Sequence, residues 1–260
     1  MIRSIWVYVV GTLATLWVGG GVALGSFLRP KGMVGICHRA PRRWSGAILW
    51  AAGTRVEFEG LENLDRSGPQ VLVANHESFF DVFALAAHLP VDYRFVAKEE
   101  LGRIPVFGRA WKTCGHISIN RQDRSAAVGS LDEAGRRIRD EKVTVIMFPE
   151  GTRSPTGRLQ SFKKGAFVLA LQMGVPVVPV GIVGSRHVLP KSGWPVRKGT
   201  IRIRIGAPIP VEGLQLSHRD RLMHEAWAQV ARLKGEEVAP DPGVPVPEGP
   251  SSSDGGRGGE

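Results

Sequence analysis

The sequence VLVANHESFFD, residues 71–81, joins an uninterrupted apolar run to a polar cluster and then to the start of a helical pattern. A short run without polar alternation predicts a strand that is buried on both faces, as in a parallel sheet. Ser78 suits the N-cap of the following helix, which the pattern places at about residues 78–89. In α/β folds, ligands bind at the ends of such strands, so the polar cluster is a candidate site.

Within this cluster, His76 and Asp81 are five residues apart. In one continuous helix that spacing turns two side chains about 140° apart, so they meet only if His76 lies in the loop and Asp81 in the first helical turn. An Asp that holds one imidazole nitrogen leaves the other as a base. Equally, Ser78-x-x-Asp81 suits a capping box with His76 as an ordinary loop residue, and the spacing does not decide between the two interpretations.

Outward from this stretch, short apolar runs alternate with helical patterns, which predicts an α/β fold with a layered, mixed and largely parallel sheet flanked by helices. The alternating run IRIRI, residues 201–205, suits an edge strand with arginines facing water. The other predicted strands are residues 71–74, 95–97, 116–119, 143–148 and 175–183, and further helices are predicted at about 123–141, 163–173 and 217–234.

A second polar cluster, Phe148-Pro149-Glu150-Gly151-Thr152-Arg153-Ser154, also follows an apolar run. Glycine permits a tight turn with exposed backbone N–H groups, and the neighbouring side chains add donors that suit a phosphate. Lys163 follows and is a further candidate cation, as is Arg121 after the run GHISIN. The alternatives are an ordinary loop closed by a Glu–Arg pair and a solvated arginine.

Several other chemistries are disfavoured. The second histidine of an H-E-x-x-H zinc motif would fall at Phe80, and neither a G-x-S-x-G elbow nor a G-x-x-x-x-G-K phosphate loop occurs. Cys37 and Cys114 are far apart in sequence, so we expect neither a disulfide framework nor a metal site, and a reducing compartment fits. No cofactor is predicted.

The amino-terminal segment predicts membrane association. Residues 4–28 contain no charged side chain, which exceeds the ~18–20 apolar residues needed to cross a bilayer. A long signal peptide is the competing interpretation. Residues 44–54 form a second apolar stretch that suits either an interfacial helix, giving a hairpin on one side of the membrane, or a core helix.

The net charge of +10 is concentrated beside these apolar segments, because residues 1–56 hold seven basic residues and no acidic one. Basic residues next to a membrane helix tend to stay on the cytoplasmic side and attract anionic lipid. We therefore expect the folded domain to lie on the cytoplasmic face and not to bind nucleic acid, which needs such charge on the domain itself.

Four segments in order, NHESFFD, GHISINR, FPEGTRS and VPVVPVGI, resemble the motifs of the 1-acylglycerol-3-phosphate acyltransferase family over roughly residues 55–210. The resemblance implies that His76 is the catalytic base and Asp81 its orienting partner. It places Pro179 in the strand on the acyl-chain side of the site. The substrate-binding positions that it and the second cluster suggest are Lys98, Arg121, Glu150, Gly151, Thr152, Arg153 and Lys163. Ser118 stands where the family usually has Phe, which leaves the acceptor open.

The resemblance also implies transfer of an acyl group from acyl-CoA or acyl carrier protein to the sn-2 hydroxyl of a lysolipid phosphate. Another lysolipid acceptor, or a non-catalytic module that binds phospholipid, remains as an alternative. The expected organisation is a membrane segment at 1–54, an acyltransferase domain at 55–235 and a disordered tail at 236–260.

Overall fold

The computed structural model describes residues 1–28, 33–120, 135, 136, 138 and 140–237, with only the backbone of Val34. The strands are β1 Thr54–Glu59, β2 Val71–Ala74, β3 Tyr93–Lys98, β4 Ile117–Ile119, β5 Thr144–Met147, β6 Val177–Val183 and β7 Gly199–Ile205. The helices are α1 Ile2–Leu28, α2 Met33–Ala52, α3 Phe79–His88, α4 Phe107–Thr113, α5 Gly165–Met173, α6 Ser185–Val188 and α7 Arg219–Lys234. Short 3₁₀ turns lie at Leu61–Asn63, Glu99–Arg103 and Leu216–His218.

The seven strands form one sheet in the order β1-β7-β6-β2-β5-β3-β4. All neighbouring pairs are parallel except β6 and β7, which confirms the predicted mixed and largely parallel α/β fold. Both faces are covered, because Leu72 and Ala74 of β2 join the apolar cluster under α2 and α3, whereas Val71 and Val73 join the cluster under α5 and α7. This explains why β2 is apolar at every position.

The prediction that residues 201–205 form an edge strand is wrong. β7 lies between β1 and β6, and β1, a strand that was not predicted, forms this edge of the sheet, with β4 at the other edge. Arg202 and Arg204 instead pair with Glu57 and Glu59 of β1, at 3.2 Å and 3.1 Å between the guanidinium Nε and the carboxylate. The alternation reports that one face of a strand meets water, and it carries no information about how many neighbours the strand has.

The two amino-terminal helices pack on the domain. The apolar stretch at 44–54 belongs to the 20-residue helix α2, whose Ile48, Leu49 and Ala52 are buried, as in the core-helix interpretation. Helix α1 has 27 residues and is long and apolar enough to cross a bilayer, although it contains a π-helical turn at Thr15–Gly19. The Trp44 indole N–H donates to Thr15 Oγ1 at 2.9 Å and joins the two helices.

A disulfide joins Cys37 of α2 to Cys114, which directly follows α4. The expectation of unpaired cysteines is therefore wrong. Val22 of α1 packs in one apolar cluster with both cysteines and so brings α2 and α4 together across 77 residues of sequence. Sequence spacing does not reveal such a contact, because it depends on how α1 packs.

Two other predictions fall largely outside the described residues. Of the predicted helix at 123–141, residues 135, 136, 138, 140 and 141 are described and are helical. Of the predicted tail, Glu236 and Glu237 are described, and the Glu236 carboxylate accepts hydrogen bonds from the Leu159 N–H at 3.1 and 3.2 Å.

Candidate active site

Two polar loops meet at the carboxyl edge of the sheet, because β2 and β5 are parallel neighbours. The loop after β2 carries His76, and the loop after β5 carries residues 148–154. The His76 N–H donates to Glu150 Oε1 at 2.7 Å, and the Ser154 N–H donates to the His76 carbonyl at 2.7 Å. The backbone of His76 is thus clamped by the second loop on both sides.

Asp81 orients His76 and caps helix α3 with the same oxygen. His76 Nδ1 lies 2.8 Å from Asp81 Oδ2, and that oxygen also accepts from the N–H groups of Glu77 at 2.7 Å and Ser78 at 2.9 Å. Asp81 is fully buried, and Ser78 is the extended N-cap residue of a complete capping box. The capping box and the His76–Asp81 pair, which the spacing left open as alternatives, are therefore both present. The capping box holds the Asp81 carboxylate in the position where it meets the imidazole.

The imidazole of His76 is fixed on a second side by Phe148, whose ring stacks on it at 4.1 Å between centroids. Because a carboxylate only accepts hydrogen bonds, Nδ1 carries the proton in the neutral ring and Nε2 is left with its lone pair. The His76 side chain is 14% exposed and lines the main cleft. This arrangement presents Nε2 as a base to a molecule in the cleft.

The Gly151 turn places cations beside this base. Gly151 has φ +76°, and a Cβ there would lie 2.9 Å from Lys163 Cε, so glycine allows Lys163 to cross the turn. The Gly151 N–H donates to the Phe148 carbonyl at 3.0 Å and closes the turn. The Arg153 guanidinium lies 4.0 Å from the centre of the Phe79 ring, and partial burial lowers its pKa while Asp81 opposes that change.

The buried side chain of Glu150 holds the second loop through hydrogen bonds. It is 4% exposed, and Gln160 donates to its Oε2 from the side-chain amide at 2.7 Å and from the backbone at 3.3 Å. Burial raises the pKa of Glu150, and these hydrogen bonds and the one from His76 oppose the rise. Among the described residues, Glu150 is hydrogen-bonded to Gln160 and His76, so the Glu–Arg pair of the ordinary-loop alternative does not close this loop.

An apolar cleft of about 690 Å³ runs from this base to the amino-terminal helices. Val18 and Val22 of α1 and Trp44 of α2 form its far wall, and Phe95 and Trp111 line the domain side. Among the polar side chains that line it, His76 comes from the loop after β2, and Thr152 and Arg153 come from the loop after β5. The cleft therefore suits a ligand with a long apolar part and a polar end at the base.

Comparison with known proteins shows the family to which the chain belongs. The acyltransferase family model matches residues 55–183. A 1-acyl-sn-glycerol-3-phosphate acyltransferase of Pseudomonas aeruginosa is 31% identical over 215 residues, which cover 78% of this chain and 82% of that protein. The chain belongs to this acyltransferase family.

A solved structure of the family extends the similarity to the fold. The crystal structure of the 1-acyl-sn-glycerophosphate acyltransferase PlsC from Thermotoga maritima superposes with a TM-score of 0.75 at 28% identity, covering 92% of this chain and 97% of that one. The enzyme of Limnanthes alba is 38% identical over 166 residues, which are 64% of this chain. This chain spans about half the length of such plant relatives, 55% in that case.

The structure brings most of the predicted site residues of this acyltransferase-family chain together. His76, Gly151, Thr152, Arg153 and Lys98 line the cleft. Lys98 also pairs with Glu100 at 2.5 Å. Asp81 and Glu150 lie buried behind the base, Lys163 lies exposed over Gly151, and Arg121 falls outside the described residues.

Sequence reasoning missed a buried ion pair behind the site. Lys234, the last residue of α7, lies 2.9 Å from Glu77 Oε1, and both side chains are 7% exposed. The same ammonium also binds Glu236 and the Gly157 carbonyl. The only sequence signal was that Glu77 sits inside the polar cluster, and no local pattern connects it with Lys234.

His116 of the cleft wall was also missed as a site neighbour. Its ring packs 4.4 Å from the ring of Trp111, and burial lowers its pKa to about 3. His116 is therefore neutral at physiological pH and contributes a polar but uncharged group to the apolar cleft.

Proposed function

We propose that this protein transfers a fatty acyl group from a thioester, acyl-CoA or acyl carrier protein, to the sn-2 hydroxyl of 1-acylglycerol-3-phosphate, giving phosphatidic acid. The observation that carries the proposal is the His76–Asp81 pair, 2.8 Å apart, with His76 in the lining of a mostly apolar cleft. The family membership supports the same chemistry.

In the proposed reaction His76 Nε2 accepts the proton of the acceptor hydroxyl as its oxygen attacks the thioester carbonyl. The C–S bond then breaks, and the imidazolium returns the proton to the leaving sulfur. Asp81 keeps Nδ1–H aimed and stabilises the positive charge that forms on the ring. The acceptor supplies the nucleophile, so the protein needs no serine or cysteine of its own.

The phosphate of the acceptor is proposed to bind at Arg153, with Lys98 and Lys163 nearby and Arg121 as a further contributor. A guanidinium offers paired N–H donors that match phosphate oxygens, and the Phe79 ring holds its plane. Fixing the phosphate also fixes the hydroxyl one carbon away against His76, which converts binding energy into orientation.

Helix α1 is proposed to lie against the domain within one leaflet and not to cross the bilayer. Its first turn contacts helix α2, and its last turn contacts helix α4. Arg3 donates to the Ala52 carbonyl at 3.0 Å, and the Arg109 guanidinium lies 3.9 Å from the centre of the Phe27 ring. Exposed apolar side chains such as Trp17 and Leu24 would enter the lipid, and the basic residues of α2 support a cytoplasmic location of the domain.

The test is acyl transfer by purified protein from a labelled thioester, with coenzyme A and acyl carrier protein donors run separately. His76→Ala should lower the rate by about 10²–10⁴. His187→Ala, an exposed histidine outside the site, is the matched control and should stay near the parent rate. Failure of the parent on this acceptor but success on another lysolipid would change the substrate. Failure on every lysolipid with either donor would favour a lipid-binding module.

A further inference from the structure

A second apolar groove, of about 350 Å³, lies between helix α1 and helix α3. Its side chains are almost entirely apolar, and it runs along the first half of α1. The residues that line this groove and not the main cleft include Val7, Gly11, Thr12, Leu16, Ile48 and Phe80.

The second groove adjoins the catalytic cleft. Both are lined by Thr15, Trp44, Phe79 and Phe83. The hydrogen bond from Trp44 to Thr15, 2.9 Å long, forms part of the wall between them. Phe79 stands at the junction, 47% exposed, with the Arg153 guanidinium over its ring. A molecule held at Arg153 and His76 therefore has two apolar surfaces beside it.

We propose that the second groove binds the acyl chain that the acceptor already carries on its sn-1 oxygen. This inference rests on the proposed function. The reaction adds one acyl chain to a glycerol that already carries an acyl chain and a phosphate, so the site must hold three groups that diverge from one glycerol. The main cleft has His76 in its lining and suits the chain being transferred, and Arg153 suits the phosphate. The second groove begins at Phe79, which lies beside both the main cleft and Arg153.

The physical basis is apolar burial. A chain taken from water into an apolar groove gains binding for each methylene that it buries, by at most about fourfold per group. Acceptors with short chains that dissolve as monomers, such as 1-hexanoyl- and 1-decanoyl-glycerol-3-phosphate, report this gain without interference from micelles. For the parent protein we expect kcat/KM to rise steeply from the hexanoyl to the decanoyl acceptor.

Gly11→Leu tests the groove directly. A Cβ at Gly11 would meet only Ile48 Cγ1, at 3.9 Å, so the backbone accepts the change and the leucine side chain occupies the groove. Gly21→Leu is the matched control, because it makes the same substitution in the same helix at an exposed position with nothing within 4 Å. Thr12→Trp, at an exposed position of the same groove, provides a second obstruction that does not enter the core.

With Gly11→Leu and Thr12→Trp, kcat/KM for the decanoyl acceptor should fall at least tenfold. The value for the hexanoyl acceptor and the dependence on donor chain length should stay close to those of the parent and of Gly21→Leu. An equal loss on both acceptors, a loss that follows donor length, or no loss in either variant would overturn the groove proposal while leaving the proposed function intact. If the parent acylates neither acceptor, nor any longer lysophosphatidate, the proposed function itself fails.

Discussion

Replacement of Lys234 by Met should destabilise the protein through Glu77. The Lys234 ammonium has three N–H donors, and Glu77, Glu236 and the Gly157 carbonyl accept from it. Glu77 lies in the same loop as His76, and Asp81 and Glu150 are further carboxyl groups close to it. Removing the cation would leave Glu77 buried among like charges, without the ammonium that neutralises it.

The magnitude follows from burial. Even with Lys234 present, burial raises the pKa of Glu77 from 4.5 to about 6, with nearby Asp81 and Glu150 adding to the rise. That pKa difference corresponds to about 2 kcal/mol in the free energy of unfolding. The protein has this stability below pH 4.5 and loses it as the pH rises through about 6, because Glu77 ionises at lower pH in the unfolded chain than in the folded protein. Removal of one partner from a buried pair costs about 3–5 kcal/mol. We expect Lys234→Met to lose that amount near pH 8 and less than half of it near pH 5, where Glu77 is protonated.

The assay is equilibrium unfolding in guanidinium chloride and a non-ionic detergent, followed by far-UV circular dichroism at both pH values. Adding Glu77→Gln to Lys234→Met should recover most of the loss near pH 8, because the amide cannot ionise. Lys164→Met is the control: its pair with Asp220, 3.2 Å apart, has side chains 55% and 50% exposed, so its loss should stay within about 0.5 kcal/mol. An equal loss at both pH values, with no recovery in the double variant, would refute the electrostatic explanation and leave only the packing of the lysine stem.

Two further outcomes are expected. Asp81→Asn should lower kcat by about 10²–10⁴ with the KM for the donor little changed, because an amide can hold the wrong tautomer of His76; a fully active, folded variant would contradict the orienting role. Opening the Cys37–Cys114 disulfide should cost about 4.5 kcal/mol by the loop-closure relation for a 77-residue separation. The unfolding midpoint of the parent should therefore fall in dithiothreitol, while that of the double Ser variant does not respond; an unchanged parent midpoint, with both thiols shown to be free, would refute this.

The local sequence was sufficient for the elements that build the site. The apolar run of β2 and the Ser78 cap predicted a strand, a loop and a helix at the observed places, because burial on two faces and capping depend on neighbouring residues. The same spacing allowed the meeting of His76 and Asp81 and equally a simple cap, and only the structure shows that both occur. The two polar clusters come together because parallel strands bring their carboxyl ends to one edge.

What only the tertiary structure decided are the contacts between residues distant in sequence. Alternation predicted that the arginines of β7 face water. It could not predict that they pair with glutamates of β1, because that pairing depends on the strand order. The Cys37–Cys114 bond, the Glu77–Lys234 pair and the junction of the two grooves at Phe79 likewise depend on which faces of separate helices bury one another. A sequence period specifies the buried face of an element, whereas the partner of that face is chosen by packing of the whole chain.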